Sequence, residues 1–368
     1  HVRRSAIKTA LVEAGQRYGG PQDGAVDDME AILRRALSER ADDGDAGTFL
    51  SDTTRGLAFL DRAESGPFFA LGIPVLDRMR VGMTPGEMLL YIAAKSTGKS
   101  WFAVHCGRQA AVQGARVVHV SLEMDEDRVA QRYYMTFLGI ASRREKYPMS
   151  VLELDELERA TGHKTRPSSP RAAFADPRIR DWIRQKIKPW GTRLGRIVIK
   201  RFPTGQLTVD GLRGYLDYLE QVHKFVPQVL IVDYPDLMKL STRDLRVDMG
   251  RTYVNLRGLA VERSVALIAP TQGNRSSLDA NTMRASMVAE DKTKLDTSDV
   301  VLLYSQTRME RKRGLARLCL EYSRDSDRGQ VVVMTQSYAT GQYVVQSALQ
   351  TGAYWDAVRA GGTEDGEE

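Results

Sequence analysis

Only two cysteines, Cys106 and Cys319, occur in 368 residues, too few to staple a chain of this length. One falls on a predicted helix and the other on a predicted strand, so both read as reduced packing residues and point to a reducing compartment. Long apolar runs are missing too: none approaches the roughly 18 residues that a membrane span needs. The first residues, His1-Val2-Arg3-Arg4, lead into no apolar signal segment and include no initiating Met, so the chain reads as trimmed and the expected location is the cytoplasm, with no membrane partner. With 42% hydrophobic and 27% charged residues, the chain can bury a full core, and its length allows one large domain or two. A net charge of +6 suits a nucleic-acid partner and equally a solvated basic surface, so charge alone leaves both open.

Three regions follow from patterning. Residues 1–60 read as a short helical arm or linker, with apolar residues at helical spacing over 5–17 and 26–41 and a Gly19-Gly20-Pro21 break between them. Such an arm holds too little apolar surface for a core of its own and is expected to pack on the main domain or on a neighbouring subunit. Over 61–348, runs rich in Val, Ile and Leu alternate with helical patterns, the signature of an α/β fold with a mostly parallel twisted sheet and flanking helices. Strands are expected at 88–92, 116–121, 196–200, 229–233, 265–269, 300–304, 317–322 and 331–335. A basic insertion over 140–195 reads partly as a mobile loop; Trp182 and Trp190 flank a Lys/Arg-rich helical stretch there and suit either base stacking or core packing. Arg308 to Arg313 reads as a hairpin turn, and 349–368 as a flexible acidic tail.

Three elements carry chemistry. Ala93-Ala94-Lys95-Ser96-Thr97-Gly98-Lys99-Ser100 follows the apolar run Met88 to Ile92 and opens an apparent helix, which is phosphate-loop order. In that arrangement Ala94, Lys95, Ser96, Thr97, Gly98, Lys99 and Ser100 cradle a nucleoside triphosphate, Lys99 reaches the β and γ phosphates, and the Ser100 hydroxyl ligates Mg²⁺. Ala93 stands where glycine is preferred, which requires an ordinary backbone conformation there. The second element, Val117 to Met124, is a buried strand ending in Glu123, expected beside the phosphate-loop strand as its parallel neighbour and placed to orient the attacking water as catalytic base. Its competing reading is a helix-capping acid, since Asp125-Glu126-Asp127 follow. Third, the run Val229 to Val232 delivers Asp233, a Walker B pattern expected to hold Mg²⁺ opposite Ser100.

These strings and their order resemble the hexameric replicative DNA helicases of the DnaB type, which are built on a RecA-like P-loop ATPase core. Further matches are Leu71-Gly72-Ile73-Pro74-Val75-Leu76-Asp77, Ser121-Leu122-Glu123-Met124, Ile231-Val232-Asp233-Tyr234 with Leu237-Met238, Thr271-Gln272-Gly273-Asn274-Arg275-Ser276, and Arg324 with Gly329. That family also favours Ala at the position of Ala93. The resemblance implies an ATP- and Mg²⁺-dependent motor that translocates on single-stranded DNA and unwinds duplex during replication, in a bacterial or phage-infected cell. It implies a homo-oligomer, a hexamer, and admits primase or a loader as further partners, although the family's N-terminal collar is not expected in the short arm. Gln272 corresponds to the polar sensor that couples the γ-phosphate to nucleic acid. Arg324 corresponds to the arginine finger entering the neighbouring subunit's site; Arg328 competes, and Tyr322 stands where the family has a basic residue. The DNA-contacting segment corresponds to 281–299, with Arg284, Lys292 and Lys294 as contacts to the phosphate backbone. Two rivals share the nucleotide core: a RecA-like recombinase or filament ATPase, and a non-unwinding ATP-dependent assembly protein.

Overall fold

In chain order the strands among the described residues are β1 (Phe69–Ala70), β2 (Gly82–Met83), β3 (Met88–Ala93), β4 (Val117–Ser121), β5 (Tyr147–Leu154), β6 (Arg159–Ser168), β7 (Ile197–Arg201), β8 (Val229–Asp233), β9 (Ala266–Gln272), β10 (Val300–Ser305), β11 (Leu315–Ser323), β12 (Gln330–Ser337) and β13 (Gln342–Gln350). This computed structural model describes residues 69–95, 97–240, 245–273, 292–323 and 329–360, together with Leu57. From 69 onward they belong to one unit, Pro67–Glu368. The expected helical arm over 1–60 and the acidic end 361–368 lie outside the described secondary structure.

β1 and β2 form a small ribbon, while the other strands build an 11-stranded sheet in the order β5-β6-β13-β12-β11-β10-β3-β9-β8-β4-β7. From β10 to β7 neighbouring strands run parallel. Beyond β10 the chain turns back antiparallel through β11, β12 and β13. The middle strands of this block are apolar almost throughout, as over 88–93 and 229–232, because helices cover both faces, whereas β4 carries His119 and β7 ends in Lys200 and Arg201. In β3, Leu89, Tyr91 and Ala93 join the core beneath the helices Lys99–Val112 and Glu126–Leu138, whereas Met88, Leu90 and Ile92 join the opposite core beneath Val209–His223 and Leu245–Arg263. Each strand expected from the sequence is present.

The wing departs from expectation. The basic insertion holds a strand hairpin, β5 against β6, at the edge of the sheet and not a loop. Alternate residues of the hairpin turn inward: Leu152 and Ala160 pack with Val333, Tyr354 and Val358, and the Ser150 hydroxyl bonds to that of Thr165 at 2.7 Å. Lys, Arg and His between those positions mask the two-residue period, and Pro148 sits where only an edge strand tolerates it. Residues 308–313 form a helix, Arg308–Arg313, because Thr307 and Glu310 make reciprocal capping bonds. The expected flexible tail is ordered as far as residue 360: β13 continues to Gln350 and the helix Ala353–Ala360 follows, with Tyr354 and Val358 buried one turn apart. Trp190 packs on Phe137 at 5.2 Å between ring centroids, while Trp182 is exposed. Both cysteines are buried.

Candidate nucleotide site

The parallel strands from β10 to β7 all end on the same edge of the sheet, and in α/β folds that carboxyl edge is where ligands bind. β3 ends at Ala93, which is buried and keeps strand conformation, so alanine suffices where glycine is preferred. The chain then closes a tight loop: the Thr97 hydroxyl donates to the Ala94 carbonyl at 2.6 Å, and Gly98 adopts φ 112°, a conformation open to glycine. Gly98 caps the helix Lys99–Val112 with no side-chain capping bond, which leaves its first backbone N–H groups for an anion. Behind the loop, Trp101 stacks on Tyr338 at 5.6 Å, and the Arg132 guanidinium lies 4.8 Å from the Trp101 ring centroid. Lys95 is exposed; Ser96 lies outside the described residues.

Lys99 is almost buried, its ammonium 5.4 Å from the Tyr234 ring centroid. Burial pulls its pKa down, while Asp233, Glu123 and Asp236 pull it up. Asp233 ends β8, fully enclosed, and burial raises its pKa to about 6 against the opposing hydrogen bond from Ser100. The Oδ1 atom of Asp233 is buried without a hydrogen-bond partner. Glu123 lies past the end of β4, exposed, within electrostatic reach of Lys99, Asp233 and Arg132. It is not a cap: the capping position is Asp125, and Asp125 and Glu126 engage Arg201 instead. One expectation needs correcting. β4 is not the neighbour of β3, because β9 and β8 lie between them, and the crossover through Lys99–Val112 passes over both. Glu123 reaches the site from the turn beyond β4, which is held by the Ser121 hydroxyl bonding both to the N–H of Met124, at 3.0 Å, and to its carbonyl, at 2.7 Å.

Gln272, exposed at the end of β9, sits in register with Ala93. The resemblance places Lys294 among the contacts to the DNA backbone. It is 9% exposed and pairs with Asp236 at 2.5 Å, because the helix Lys292–Thr297 turns that side chain inward. Lys292 lies in the same helix, and Arg284, Arg324 and Arg328 lie outside the described residues, as do Asn274, Arg275 and Ser276. Two participants escape sequence reading. Asp236 was visible only as a carboxylate three residues past Asp233, and Arg132 carried no signal beyond its place on a helix following Glu123.

The fold and this edge define a phosphate-loop nucleotide-binding protein. The family model of the DnaB-like helicase C terminal domain matches residues 69–340, and the chain belongs to that family. It is 26% identical over 298 residues to a DnaB-like replicative helicase of Enterobacteria phage T4, covering 78% of this chain and 55% of that one. The chain thus spans about half the length of the curated relative. In structure it is similar to a DnaB-like replicative helicase determined together with its interactions with primase (TM-score 0.65, 16% identity, 93% of this chain and 76% of that chain). It is also similar to a separately solved ATPase domain (TM-score 0.61, 18% identity, 81% of this chain and 99% of that chain). Both likenesses support the RecA-like fold.

Proposed function

We propose that this chain is the ATP-hydrolysing motor of a ring-shaped replicative helicase, a hexamer that translocates on single-stranded DNA in the cytoplasm and opens duplex at a fork. The observation that carries the reading is the meeting of Lys99, Ser100, Asp233 and Glu123 on one sheet edge of a DnaB-family domain. The orphaned Oδ1 atom of Asp233 beside the Ser100 hydroxyl fits a hard divalent cation, Mg²⁺. Among the described residues no three His, Cys, Asp or Glu side chains gather as a metal cluster, which suits an ion held largely by phosphate oxygens and water. When bound, Mg²⁺ neutralises charge on the polyphosphate.

In this reading Lys99 and the backbone N–H groups of Thr97 to Ser100 bind and orient the phosphates. Glu123 orients a water molecule for in-line attack and accepts its proton. Gln272, beside the phosphate-loop strand, senses the terminal phosphate. Arg324, supplied by the neighbouring subunit, stabilises transition-state charge, so hydrolysis depends on assembly. Lys292 and Arg284 remain candidates for phosphate contacts along DNA, and primase or a loader for partners; a primase interaction belongs to one structural relative. Among the described residues no helix is long and apolar enough to cross a membrane.

Strand separation on a forked duplex with ATP and Mg²⁺, run beside Lys99→Ala, tests the reading. Separation by the wild type and none by the variant is expected. DNA-stimulated hydrolysis without separation would overturn it in favour of a filament or assembly ATPase.

A further inference from the structure

A second polar cluster lies next to the nucleotide edge, outside the proposed chemistry. Asp236 accepts three donors: the Tyr253 hydroxyl at 2.9 Å, the Thr271 hydroxyl at 2.7 Å and the Lys294 ammonium at 2.5 Å. Lys294 also donates to the Thr271 hydroxyl at 3.2 Å and lies 4.9 Å from the Tyr253 ring centroid. The participants come from four elements. Asp236 is on the single helical turn Pro235–Leu237 after β8, Tyr253 on Leu245–Arg263, Thr271 near the end of β9, and Lys294 on Lys292–Thr297.

Two features make this more than packing. A buried ammonium and carboxylate are each costly alone, so the pair holds only while its geometry is intact, and loss of one partner strands the other. The cluster also joins the parts that a motor must connect. Asp236 lies one turn past the metal-binding candidate Asp233 and contributes to the field at Lys99. Thr271 immediately precedes Gln272, and both sit in register with the end of the phosphate-loop strand, opposite Ile92 and Ala93. Lys294 belongs to the segment 281–299, which resemblance assigns to DNA. Coupling between sites requires a contiguous physical connection with defined partners, and these bonds provide one.

We propose that Lys294 is a positioning residue whose pairing with Asp236 and Thr271 ties the DNA-proximal helix Lys292–Thr297 to the Asp233 turn and to the strand carrying Gln272, so that polynucleotide binding is transmitted to hydrolysis. This rests on the helicase reading above and assigns the coupling to a residue that does not itself touch nucleotide or DNA. The test measures kcat and KM for ATP with Mg²⁺, with and without oligo(dT), in the full chain and in Lys294→Met, Lys294→Arg and Asp236→Asn/Lys294→Met, alongside thermal melts. Lys294→Met is expected to keep basal kcat within about twofold while stimulation by oligo(dT) falls about tenfold. Lys294→Arg, which keeps the cation, should recover part of the stimulation, whereas the double variant, which leaves no uncompensated buried charge but also no tie, should not; full recovery in the double variant would assign the loss to the stranded carboxylate and overturn the inference. If Lys294→Met does not fold, Thr271→Val carries the same expectation at about threefold. Unchanged stimulation in a folded variant overturns the inference, as does a parallel fall of basal and stimulated rates with the melting temperature. A wild type that oligo(dT) does not stimulate overturns the helicase reading and this inference together, whereas a stimulated wild type matched by Lys294→Met overturns this inference alone.

Discussion

The Tyr338 hydroxyl donates to the Thr97 carbonyl at 3.4 Å, and a Cβ added to Gly98 would lie 2.1 Å from that hydroxyl oxygen. Burial pushes the tyrosine pKa up to about 12, so the group remains a donor at any working pH. The wing of the sheet, through the turn after β12, therefore closes on the phosphate loop. Gly98→Ala meets two obstacles, a left-handed backbone costing about 1–2 kcal/mol for an L-residue and a collision with Tyr338. ATP affinity in Gly98→Ala should fall at least about tenfold, read by fluorescent-nucleotide titration. Adding Tyr338→Ala should restore only part of it, since the backbone strain stays. Wild-type affinity in Gly98→Ala would show that the loop does not hold this shape when nucleotide binds.

Glu123 and Lys99 should separate binding from chemistry. Glu123→Gln keeps side-chain volume and polarity but removes the proton acceptor, so kcat should fall by about 10²–10⁴ with nucleotide affinity nearly unchanged. Lys99→Ala removes the loop cation that is buried against Asp233 and should lose affinity and turnover together. A Glu123→Gln protein that binds ATP poorly but turns it over normally once saturated would move the base elsewhere, and Asp236 would be the next carboxylate to test.

What the sequence disclosed divides along the sheet. Parallel strands buried on both faces, such as Val229 to Asp233, are uniform apolar runs, and their polar last residues name the site directly. The antiparallel wing did not declare itself, because β6 reads Arg-Ala-Thr-Gly-His-Lys-Thr-Arg and only its inward residues matter to the fold. Strand order was equally hidden: the spacing from Lys99 to Glu123 shows one crossover but not that β9 and β8 later fill the space between. Lys294 illustrates the same limit for charge. A lysine between acidic residues reads as solvent-facing until a carboxylate 58 positions earlier in the chain, Asp236, is found within bonding distance.

A fully buried ion pair anchors the last helix. Glu310 accepts from Arg317 at 2.6 and 3.0 Å and from the Tyr354 hydroxyl at 2.9 Å, and the guanidinium lies 4.3 Å from the Trp355 ring centroid. Removing either charge leaves the other unpaired in the core, so Glu310→Ala or Arg317→Met should destabilise the domain by about 3–5 kcal/mol in urea unfolding. The double variant Glu310→Leu/Arg317→Met should cost less than either single change, because no lone charge remains. Additive losses would mean that the pair acts mainly through its separate hydrogen bonds.

His105 and His119 give the stability of the domain a defined pH dependence. His105, bonded through Nε2 to the Leu71 carbonyl at 2.8 Å, is held by burial at a pKa of about 4 against 6.5 for an unperturbed imidazole, with Arg108 pushing the same way and the carbonyl opposing. His119, whose Nδ1 meets the Tyr133 hydroxyl at 2.9 Å, is lowered by burial and by Arg132 to about 3. Above about pH 6.5 both rings are neutral in the folded and unfolded chains, so neither contributes a slope. As pH falls below that value the unfolded chain takes up protons that the folded chain refuses, and stability drops until the folded pKa is reached. For His105 the full loss is about 3 kcal/mol between about pH 6.5 and 4. His119→Phe removes one titrating ring and keeps an aromatic in its place, so its urea midpoint should be lower than wild type at neutral pH but fall less steeply on acidification. Parallel curves for the two proteins across that window would mean that His119 takes up its proton equally well in both states, contrary to its enclosure beneath Tyr133.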